Sequence, residues 1–434
     1  MLTKDSPVII VGGGAWGLST ALHMTDAGHT NITVYERAEQ IPSPYSAAWD
    51  INKIVRAEYE DPFYTKLALE AIRGWKTPLF GPYFHQTGYV VATTGRAPAK
   101  AVEHLEKALL SVQADPAFAP GIKRLSGAAD FRDYTWQYSG PLSGFKGYWN
   151  RLAGYAHSAD ALRGVWEHCA RRGVRFVLGE EAGRVERMVY QGRKCTGVAT
   201  ADGQTHEAEL VICALGAHGA SLLPDLGKFV VGRCWSVAHV QLSEEETNFL
   251  RGIPTTNVRD LGFFFEPDPK TRLFKLCPLG VGYTNTRSDG VSLPPPDRLP
   301  PPQDFIPAED EKKLRQLLRE TFPWMAERPF VEQKLCWFAD TADSEYCIDY
   351  VPGTDNSVVV LSGDSGHGFK MMPVFGKWVV DLVEQGKQSL ARWQWKSPDK
   401  ADTNWGDSVS WRIGKGAELR DLLEAKDKLV RARL

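Results

Sequence analysis

The feature that most constrains this chain is a short apolar strand followed directly by a glycine-rich turn. Val8–Val11 is an unbroken apolar run, as expected for a parallel strand buried on both faces. Gly12, Gly14 and Gly17 then follow at G-x-G-x-x-G spacing, with an amphipathic stretch at 18–27 behind them. Such glycines permit a tight turn, let a pyrophosphate approach the backbone, and let the helix pack close on the strand. The pattern predicts a dinucleotide-binding unit whose helix N-terminus faces the phosphates.

A second apolar strand, at 32–35, supports this prediction. It ends at Glu36, about 20 residues beyond the last glycine, where a ribose diol needs a carboxylate acceptor. The alternative is a glycine-rich turn that binds no ligand. The residues predicted to contact the cofactor in this unit are Gly12, Gly14, Ala15, Trp16, Gly17, Glu36 and Arg37.

Composition excludes several functional classes. The chain has 434 residues, enough for two domains, and its net charge of −2 argues against a nucleic-acid partner. No apolar stretch approaches the ~20 residues that span a bilayer, and no signal peptide precedes the first strand, so we expect an intracellular protein without a membrane partner. The seven cysteines show no CxxC pairing, which indicates neither a disulfide framework nor a metal site.

The carboxyl-terminal half carries further motifs. The segment 363–370, Gly-Asp-Ser-Gly-His-Gly-Phe-Lys, together with 334–337 and Asp349-Tyr350, resembles the amine oxidases of the monomeric sarcosine oxidase type. Within that group, 232–239 and 262–268 are most similar to the fungal fructosyl amino acid oxidases, the amadoriases. The resemblance runs from the first strand to about residue 385.

The resemblance implies a mixed α/β fold like that of the D-amino acid and sarcosine oxidases. A Rossmann-type FAD-binding domain would be interleaved with an antiparallel-sheet substrate domain. The predicted FAD-binding segments are 1–85, 150–225 and 330–390, the substrate-binding segments are 86–149 and 226–329, and 391–434 is a tail that contributes to the active site.

The resemblance also implies FAD bonded through its 8α-methyl group to a cysteine, and the matching position is Cys336. The residues alone do not select it, because six other cysteines compete and a buried inert thiol is the default. The turn 363–370 would offer backbone N–H groups to the negative charge of the reduced flavin, although close packing alone would also explain its glycines. Its predicted cofactor contacts are Asp364, Gly366, His367, Gly368, Phe369 and Lys370.

The implied reaction is oxidation of a secondary amine beside a carboxylate. The resulting imine is hydrolysed by water, and O2 is reduced to H2O2. Lys370 matches the carboxylate-binding lysine of the family. Arg412 is a candidate for the arginine that amadoriases supply from their tail, and Arg56, which matches the sarcosine oxidase clamp, competes with it. Either would offer a bidentate fork.

Two lysines are predicted to be catalytic. Lys275 matches the family lysine that promotes the reaction of reduced flavin with O2, where negative charge develops. Lys53 matches a second lysine, which amadoriases place in a proton relay beside the flavin. The plainer alternatives are a solvent-facing lysine on a strand for Lys275 and a solvated helix face for Lys53 and Arg56.

One position departs from the amadoriase pattern. Leu279 stands where those enzymes carry an acidic residue that hydrogen-bonds sugar hydroxyls. An apolar side chain there forfeits hydrogen bonds worth roughly 1–3 kcal/mol each. Either other groups hold the sugar, and fructosyl amino acids remain the preferred substrates, or the N-substituent is not a sugar. In the second case the alternatives are sarcosine, pipecolate, saccharopine or another N-alkyl amino acid. An NAD(P)-dependent reductase or a non-catalytic flavoprotein is a third hypothesis.

The last three residues, Ala432-Arg433-Leu434, resemble a peroxisomal address of the Ser-Lys-Leu type. They predict a peroxisomal protein that binds the import receptor, with a cytoplasmic location as the alternative.

Overall fold

A computed structural model describes residues 2–295, 305–396 and 412–422. The predicted peroxisomal tripeptide and most of the tail lie outside these ranges. The strands are β1 (Val8–Val11), β2 (Ile32–Glu36), β3 (Lys53–Val55), β4 (Phe84–His85), β5 (Tyr89–Thr93), β6 (Ile122–Ser126), β7 (Lys146–Asn150), β8 (Gly154–Ala156), β9 (Arg175–Leu178), β10 (Val185–Gln191), β11 (Lys194–Thr200), β12 (Thr205–Glu207), β13 (Leu210–Cys213), β14 (Val230–Gln241), β15 (Thr255–Val258), β16 (Gly262–Phe264), β17 (Leu273–Pro278), β18 (Tyr283–Thr284), β19 (Val331–Thr341), β20 (Cys347–Tyr350), β21 (Val358–Ser362) and β22 (Ala417–Glu418).

Nine α-helices lie in the described part of residues 15–385, joined in places by short 3-10 turns. They are α1 (Ala15–Asp26), α2 (Pro62–Trp75), α3 (Ala99–Gln113), α4 (Ala128–Tyr134), α5 (Ser158–Arg171), α6 (Gly219–Leu222), α7 (Glu244–Phe249), α8 (Ala308–Thr321) and α9 (Phe375–Gln385).

The predicted nucleotide-binding sheet forms with strand order β20-β21-β13-β1-β2-β9. Its β1–β2, β1–β13, β2–β9 and β13–β21 pairs are parallel, and only β20 runs antiparallel within this sheet. All four residues of β1 are buried, because α1 and α9 cover one face of the sheet and the β10–β11–β12 meander covers the other. The carboxyl ends of β1 and β13 therefore open side by side at one edge, the position where such sheets bind ligands.

The second large sheet has ten strands in the described residues, in the order β22-β18-β14-β17-β16-β15-β5-β7-β6, with β19 paired to β14. One face packs against α8 through an apolar core that includes Phe264, Phe274 and Leu317. Because side chains alternate along a strand, Lys275 and Cys277 of β17 point to the opposite face, toward the nucleotide-binding sheet. This inner face is the one that can meet a cofactor.

The structure bears on one alternative interpretation and on one segment assignment of the sequence analysis. Lys53 and Arg56 are not on a helix, because β3 begins at Lys53 and pairs with β8 in a small sheet with β4. Strand β19, assigned from the sequence to the nucleotide-binding segments, pairs along most of its length with β14 of the large sheet. The division into domains as a whole stays a prediction. No helix among the described residues is long and apolar enough to cross a bilayer.

Candidate active site

The glycine-rich turn after β1 brings three chain segments into close contact. A Cβ on Gly17 would lie 1.9 Å from the carbonyl oxygen of Gly12, so only glycine allows α1 to pack this close to the strand. Gly12 has a φ of +109°, and a Cβ there would lie 2.5 Å from the carbonyl oxygen of Ala214 at the end of β13. The geometry is the tight turn and close helix packing that the spacing predicts.

Glu36 lies at the end of β2 beside this turn. Its carboxylate accepts a hydrogen bond from the Gly13 N–H at 2.9 Å and others from Ala38 and Ser43. These bonds fix the carboxylate at the edge of the turn, where it lines an adjoining cavity.

That cavity has a volume of about 790 Å³, within the size range of cofactor sites. It runs from the β1 turn to β19 and the 363–370 turn. Three polar atoms on its wall have no hydrogen-bond partner among the described residues: Arg37 Nε, Trp337 Nε1 and Ser362 Oγ. A buried polar group without a partner is costly, so these atoms fit a polar ligand such as a dinucleotide. The predicted cofactor-binding residues that line it are Gly12, Gly14, Ala15, Trp16, Glu36, Arg37, Lys53, Cys336, Asp364, Gly366, Gly368 and Phe369.

Cys336 differs from the other cysteines in its exposure. The other six are buried, whereas Cys336 is partly exposed and opens onto the cavity from β19. Its Sγ lies 3.6 Å from the Nζ of Lys53. A partly exposed thiol on the cavity wall is within reach of a group bound there. The structure thus supplies a physical reason to select Cys336 that the sequence lacked, while its covalent bond to the flavin stays a prediction.

Both predicted catalytic lysines meet at one carboxylate, Asp50. The Nζ of Lys275 lies 2.5 Å and that of Lys53 2.8 Å from Asp50 Oδ2, and the Nζ of Lys334 lies 3.6 Å from Oδ1. Lys275 also donates to the carbonyl oxygen of Asn52 at 2.7 Å. Burial alone would raise the pKa of Asp50, but the three lysine charges outweigh it and hold that pKa well below its ordinary value.

Lys275 and Lys53 differ in the direction of their pKa shifts. Burial lowers the pKa of Lys275 below that of an ordinary lysine, although Asp50 opposes the shift. Lys53 is 22% exposed toward the cavity, and the Asp50 carboxylate more than offsets burial and raises its pKa. Of these two lysines, Lys275 therefore has the lower pKa.

The predicted substrate clamp forms around Tyr59. Lys370 donates to the Tyr59 hydroxyl at 2.8 Å and to the carbonyl oxygen of His367 at 2.5 Å, and the Arg56 guanidinium carbon lies 4.9 Å from the Tyr59 ring centroid. Arg56 donates to the carbonyl oxygen of Glu58. Within residues 2–295, 305–396 and 412–422, neither Arg56 nor Lys370 has a carboxylate within 4.0 Å. Burial and the charge of Arg56 lower the pKa of Lys370 well below its ordinary value, a shift that a bound carboxylate would oppose. The two basic side chains at one tyrosine therefore form a candidate site for a carboxylate.

Arg412 takes a different position from the one expected of a substrate ligand. Its side chain is buried against Asp340, which also pairs with Arg233 at 2.8 Å, and it donates to the Ser344 hydroxyl at 3.0 Å. In this arrangement the guanidinium group connects this part of the tail to β19 through its contact with Asp340. Its contact with a substrate carboxylate stays a prediction, and Arg56 is the arginine that lies beside Tyr59 with Lys370.

Sequence reasoning missed Asp50, Lys334 and Tyr59 as members of the site. Asp50 had a recognisable signal, since it is an acidic residue three positions before Lys53 in an otherwise apolar and basic segment. Lys334 lies two residues before Cys336 and so points to the same face of β19. Nothing local singles out Tyr59, because its role comes from contact with residues more than 300 positions away.

Comparisons with known proteins found similar chains. The family model described as FAD dependent oxidoreductase (DAO) matches residues 7–382. L-Saccharopine oxidase of Schizosaccharomyces pombe is 32% identical over 97% of this chain and 98% of that protein. Monomeric sarcosine oxidase of Arthrobacter sp. is 23% identical over 89% of this chain and 94% of that protein. Among solved structures, the fructosamine oxidase Amadoriase II of Aspergillus fumigatus superposes with a TM-score of 0.84 at 34% identity, covering 97% of each chain.

Proposed function

This chain belongs to the FAD-dependent oxidoreductase (DAO) family, and on that premise we propose that it oxidises the secondary amine of an N-substituted amino acid. The substrate loses two electrons and two protons and becomes an imine, which water hydrolyses, while O2 takes up the electrons and protons and leaves as H2O2. The observation that carries this proposal is the pair of cations, Arg56 and Lys370, that converge on Tyr59 without a carboxylate partner among the described residues.

FAD, once bound in the cavity, supplies the two-electron acceptor. The residues of the chain perform the remaining tasks. Lys370 and Arg56 hold the substrate carboxylate, which fixes the orientation of the amine and its neighbouring C–H bond, a major contribution to catalysis. Lys275 places positive charge where negative charge develops during oxygen reduction. Asp50 positions Lys275 and Lys53 and keeps Lys53 protonated.

Cys336 is proposed as the site of covalent attachment of the flavin. Its exposure to the cavity and its contact with Lys53 support this assignment. Denaturation of the purified protein should leave the yellow chromophore on the polypeptide.

The printed activities of the relatives suggest two classes of N-substituent for the substrate of this chain. Amadoriase II is a fructosamine oxidase, which favours a sugar, and L-saccharopine oxidase favours a substituent without one. The position of Leu279 supports the second class, because its side chain offers no acceptor for a sugar hydroxyl. In the structure the N–H of Leu279 donates to the carbonyl oxygen of Leu261, and its carbonyl oxygen accepts a hydrogen bond from the Lys313 ammonium group.

We further propose a peroxisomal location, which suits an enzyme that releases H2O2. The tripeptide Ala432-Arg433-Leu434 supports it as a ligand of the import receptor. A fluorescent fusion that keeps this carboxyl terminus should enter peroxisomes, and deletion of the three residues should leave it in the cytoplasm.

The activity is tested by peroxide release from a panel of amines. We expect H2O2 from at least one of sarcosine, pipecolate, saccharopine, fructosyl-valine and fructosyl-lysine, with loss of the yellow colour when the same amine is added without oxygen. Bleaching by NADPH and by none of these amines would instead support a reductase. A colourless protein that does not bind added FAD would contradict the whole proposal.

A further inference from the structure

The glycine-rich turn 363–370 contains a histidine to which the proposed amine oxidation assigns no task. His367 is not among the described residues that line the candidate cofactor cavity. The residue is 6% exposed, and its ring stacks on Tyr346 at a centroid distance of 4.9 Å. It lies three positions before Lys370, whose Nζ donates to the His367 carbonyl oxygen at 2.5 Å. His367 therefore lies against the substrate clamp.

The neighbours of the His367 ring determine which nitrogen carries the proton. Burial and the charge of Lys370 lower the pKa of His367 well below its ordinary value, so the ring is neutral and has one N–H. Its Nε2 lies 2.9 Å from the carbonyl oxygen of Ser344, which can only accept a hydrogen bond. The proton is therefore on Nε2, and Nδ1 is an acceptor.

Two hydroxyl groups lie close to this acceptor. The Tyr59 hydroxyl is 3.0 Å and the Tyr346 hydroxyl 3.1 Å from His367 Nδ1. The Tyr346 hydroxyl also lies 3.3 Å from the carbonyl oxygen of His367, so it has a second acceptor. The Tyr59 hydroxyl lies 2.8 Å from the Nζ of Lys370. An ammonium group has no lone pair, so when Lys370 is charged the Tyr59 oxygen accepts from it and the Tyr59 proton points to His367.

This direction favours the form of Lys370 that binds a carboxylate. If Nδ1 could not accept, the Tyr59 proton could turn toward Nζ, where it would favour an uncharged amine. With that proton directed to His367, Lys370 donates to the Tyr59 oxygen and to the His367 carbonyl oxygen. These are the hydrogen bonds of its ammonium group within the residues that the structure describes, which leaves a third N–H for a substrate carboxylate.

The Tyr59 ring is held in place from two sides. The residue is 3% exposed, it stacks on Tyr64 at a centroid distance of 5.4 Å, and the Arg56 guanidinium carbon lies 4.9 Å from its ring centroid. Its hydroxyl oxygen is therefore a fixed acceptor for Lys370. Because a lysine side chain is flexible, a donor that is oriented before binding loses less freedom when the ligand binds.

We propose that His367 is a positioning residue of the substrate clamp, which directs the Tyr59 proton away from Lys370 and so orients the lysine ammonium group toward the substrate carboxylate. The inference rests on the proposed amine oxidase function and deepens its carboxylate recognition. His367 needs no contact with the substrate, because it acts through Tyr59.

The test measures KM and kcat of the holoenzyme for the best amine of the panel, and Ki for acetate as a competitive inhibitor. Tyr59→Phe and His367→Phe keep the aromatic rings and remove the hydroxyl or the acceptor nitrogen. We expect each to raise KM and the acetate Ki by roughly 10-fold, with a smaller change in kcat. His367→Asn, whose side-chain oxygen can accept from Tyr59, should restore part of the affinity. Tyr346→Phe, which removes the other hydroxyl beside Nδ1, is the matched control and should leave KM and Ki unchanged.

A double variant tests whether His367 acts through Tyr59. Tyr59→Phe combined with His367→Phe should show the same KM as Tyr59→Phe alone, because residues that act as one unit give losses that do not add. Additive losses, an unchanged KM in His367→Phe, or an effect of Tyr346→Phe equal to that of Tyr59→Phe would overturn the inference.

A second measurement needs no substitution at His367, in case its variants fail to fold. NMR spectra of the holoenzyme labelled with nitrogen-15 in its histidines should show a neutral ring protonated on Nε2, whose Nδ1 resonance shifts in Tyr59→Phe. A His367 ring protonated on Nδ1, or no ring that responds to Tyr59→Phe, would overturn the inference. Absence of peroxide from every amine would instead contradict the proposed oxidase function. The NMR result does not depend on turnover, so the two failures are distinguishable.

Discussion

The ammonium group of Lys275 lies 2.5 Å from the carboxylate of Asp50, and both side chains are 1% exposed. The two residues are 225 positions apart, on β17 and on the loop before β3. Asp50 also pairs with Lys53 and Lys334, so one buried carboxylate holds three lysines together beside the candidate cofactor cavity. This relationship links β17 of the large sheet to the loop before β3, next to Lys53, which lines the candidate cofactor cavity.

Replacement of Lys275 by Met should slow the oxidation of the reduced enzyme by O2 by about 10²- to 10³-fold, since a preorganised charge at a developing anion contributes about this much. The rate at which the amine substrate reduces the enzyme should change less. Stopped-flow absorbance resolves the two half-reactions, and Lys270→Met, which alters a lysine that is 79% exposed, is the control. Because the pKa of Lys275 is lowered, its cation is lost at a lower pH than for an ordinary lysine, so kcat/KM for O2 should fall as pH rises. An unchanged oxygen rate in Lys275→Met would refute this role.

Replacement of Asp50 by Asn should destabilise the protein by about 3–5 kcal/mol, because it leaves three lysine charges without their shared anion. It should also lower the pKa of Lys53, which Asp50 now raises. Urea unfolding of the holoenzyme measures the loss. Asp160→Asn removes a partly exposed partner of Arg163 and Lys270 and should cost less than about 1 kcal/mol. Equal stability of the two variants would contradict the assignment.

Replacement of Cys336 by Ser should release the flavin when the protein is denatured, because the oxygen cannot form the predicted thioether. Chromatography of the acid-precipitated protein separates free from bound chromophore. Cys277→Ser, which alters a buried cysteine, is the matched control and should keep the chromophore on the chain. A wild-type protein that releases its flavin would show that no covalent bond forms.

Replacement of Lys370 by Gln and of Arg412 by Gln should have different effects. Loss of Lys370 removes a charge-assisted contact to the substrate carboxylate, so KM should rise roughly 10- to 100-fold. Loss of Arg412 leaves Asp340 with fewer partners in a buried site and should lower the free energy of unfolding by about 3–5 kcal/mol. A raised KM with unchanged stability in Arg412→Gln would instead place Arg412 on the substrate, as the family resemblance implies.

Stability should decrease in acid below the ordinary pKa of histidine. Burial lowers the pKa of both His218 and His239 to about 4. The unfolded chain therefore binds more protons than the folded one between pH 6.5 and 4, and the free energy of unfolding falls as pH falls through this window. Urea unfolding at pH 7 and pH 5 measures the slope, which His239→Gln should reduce. A slope that His239→Gln does not alter would assign the acid sensitivity to other groups.

The nucleotide-binding half could be predicted from the sequence almost element by element. The apolar run Val8–Val11, the glycine spacing and Glu36 are local signals, since each depends on neighbours within about 25 residues. The burial of Lys275 was also predictable, because Phe274 and Leu276 flank it in an apolar strand. The helical alternative for Lys53 and Arg56 was wrong because pairing with β8 makes residues 53–55 a strand. The partner strand lies about 100 residues away, so no local pattern could indicate this pairing.

The sequence by itself determined the strands and the glycine turns, because local periodicity and motif spacing encode them, and the resemblance of its motifs indicated the family and the class of reaction. Only the tertiary structure decided which charges meet: that Asp50 gathers Lys53, Lys275 and Lys334, and that Arg412 pairs with Asp340. The physical reason is that an ion pair depends on distance and burial, both of which arise when segments far apart in the chain pack together.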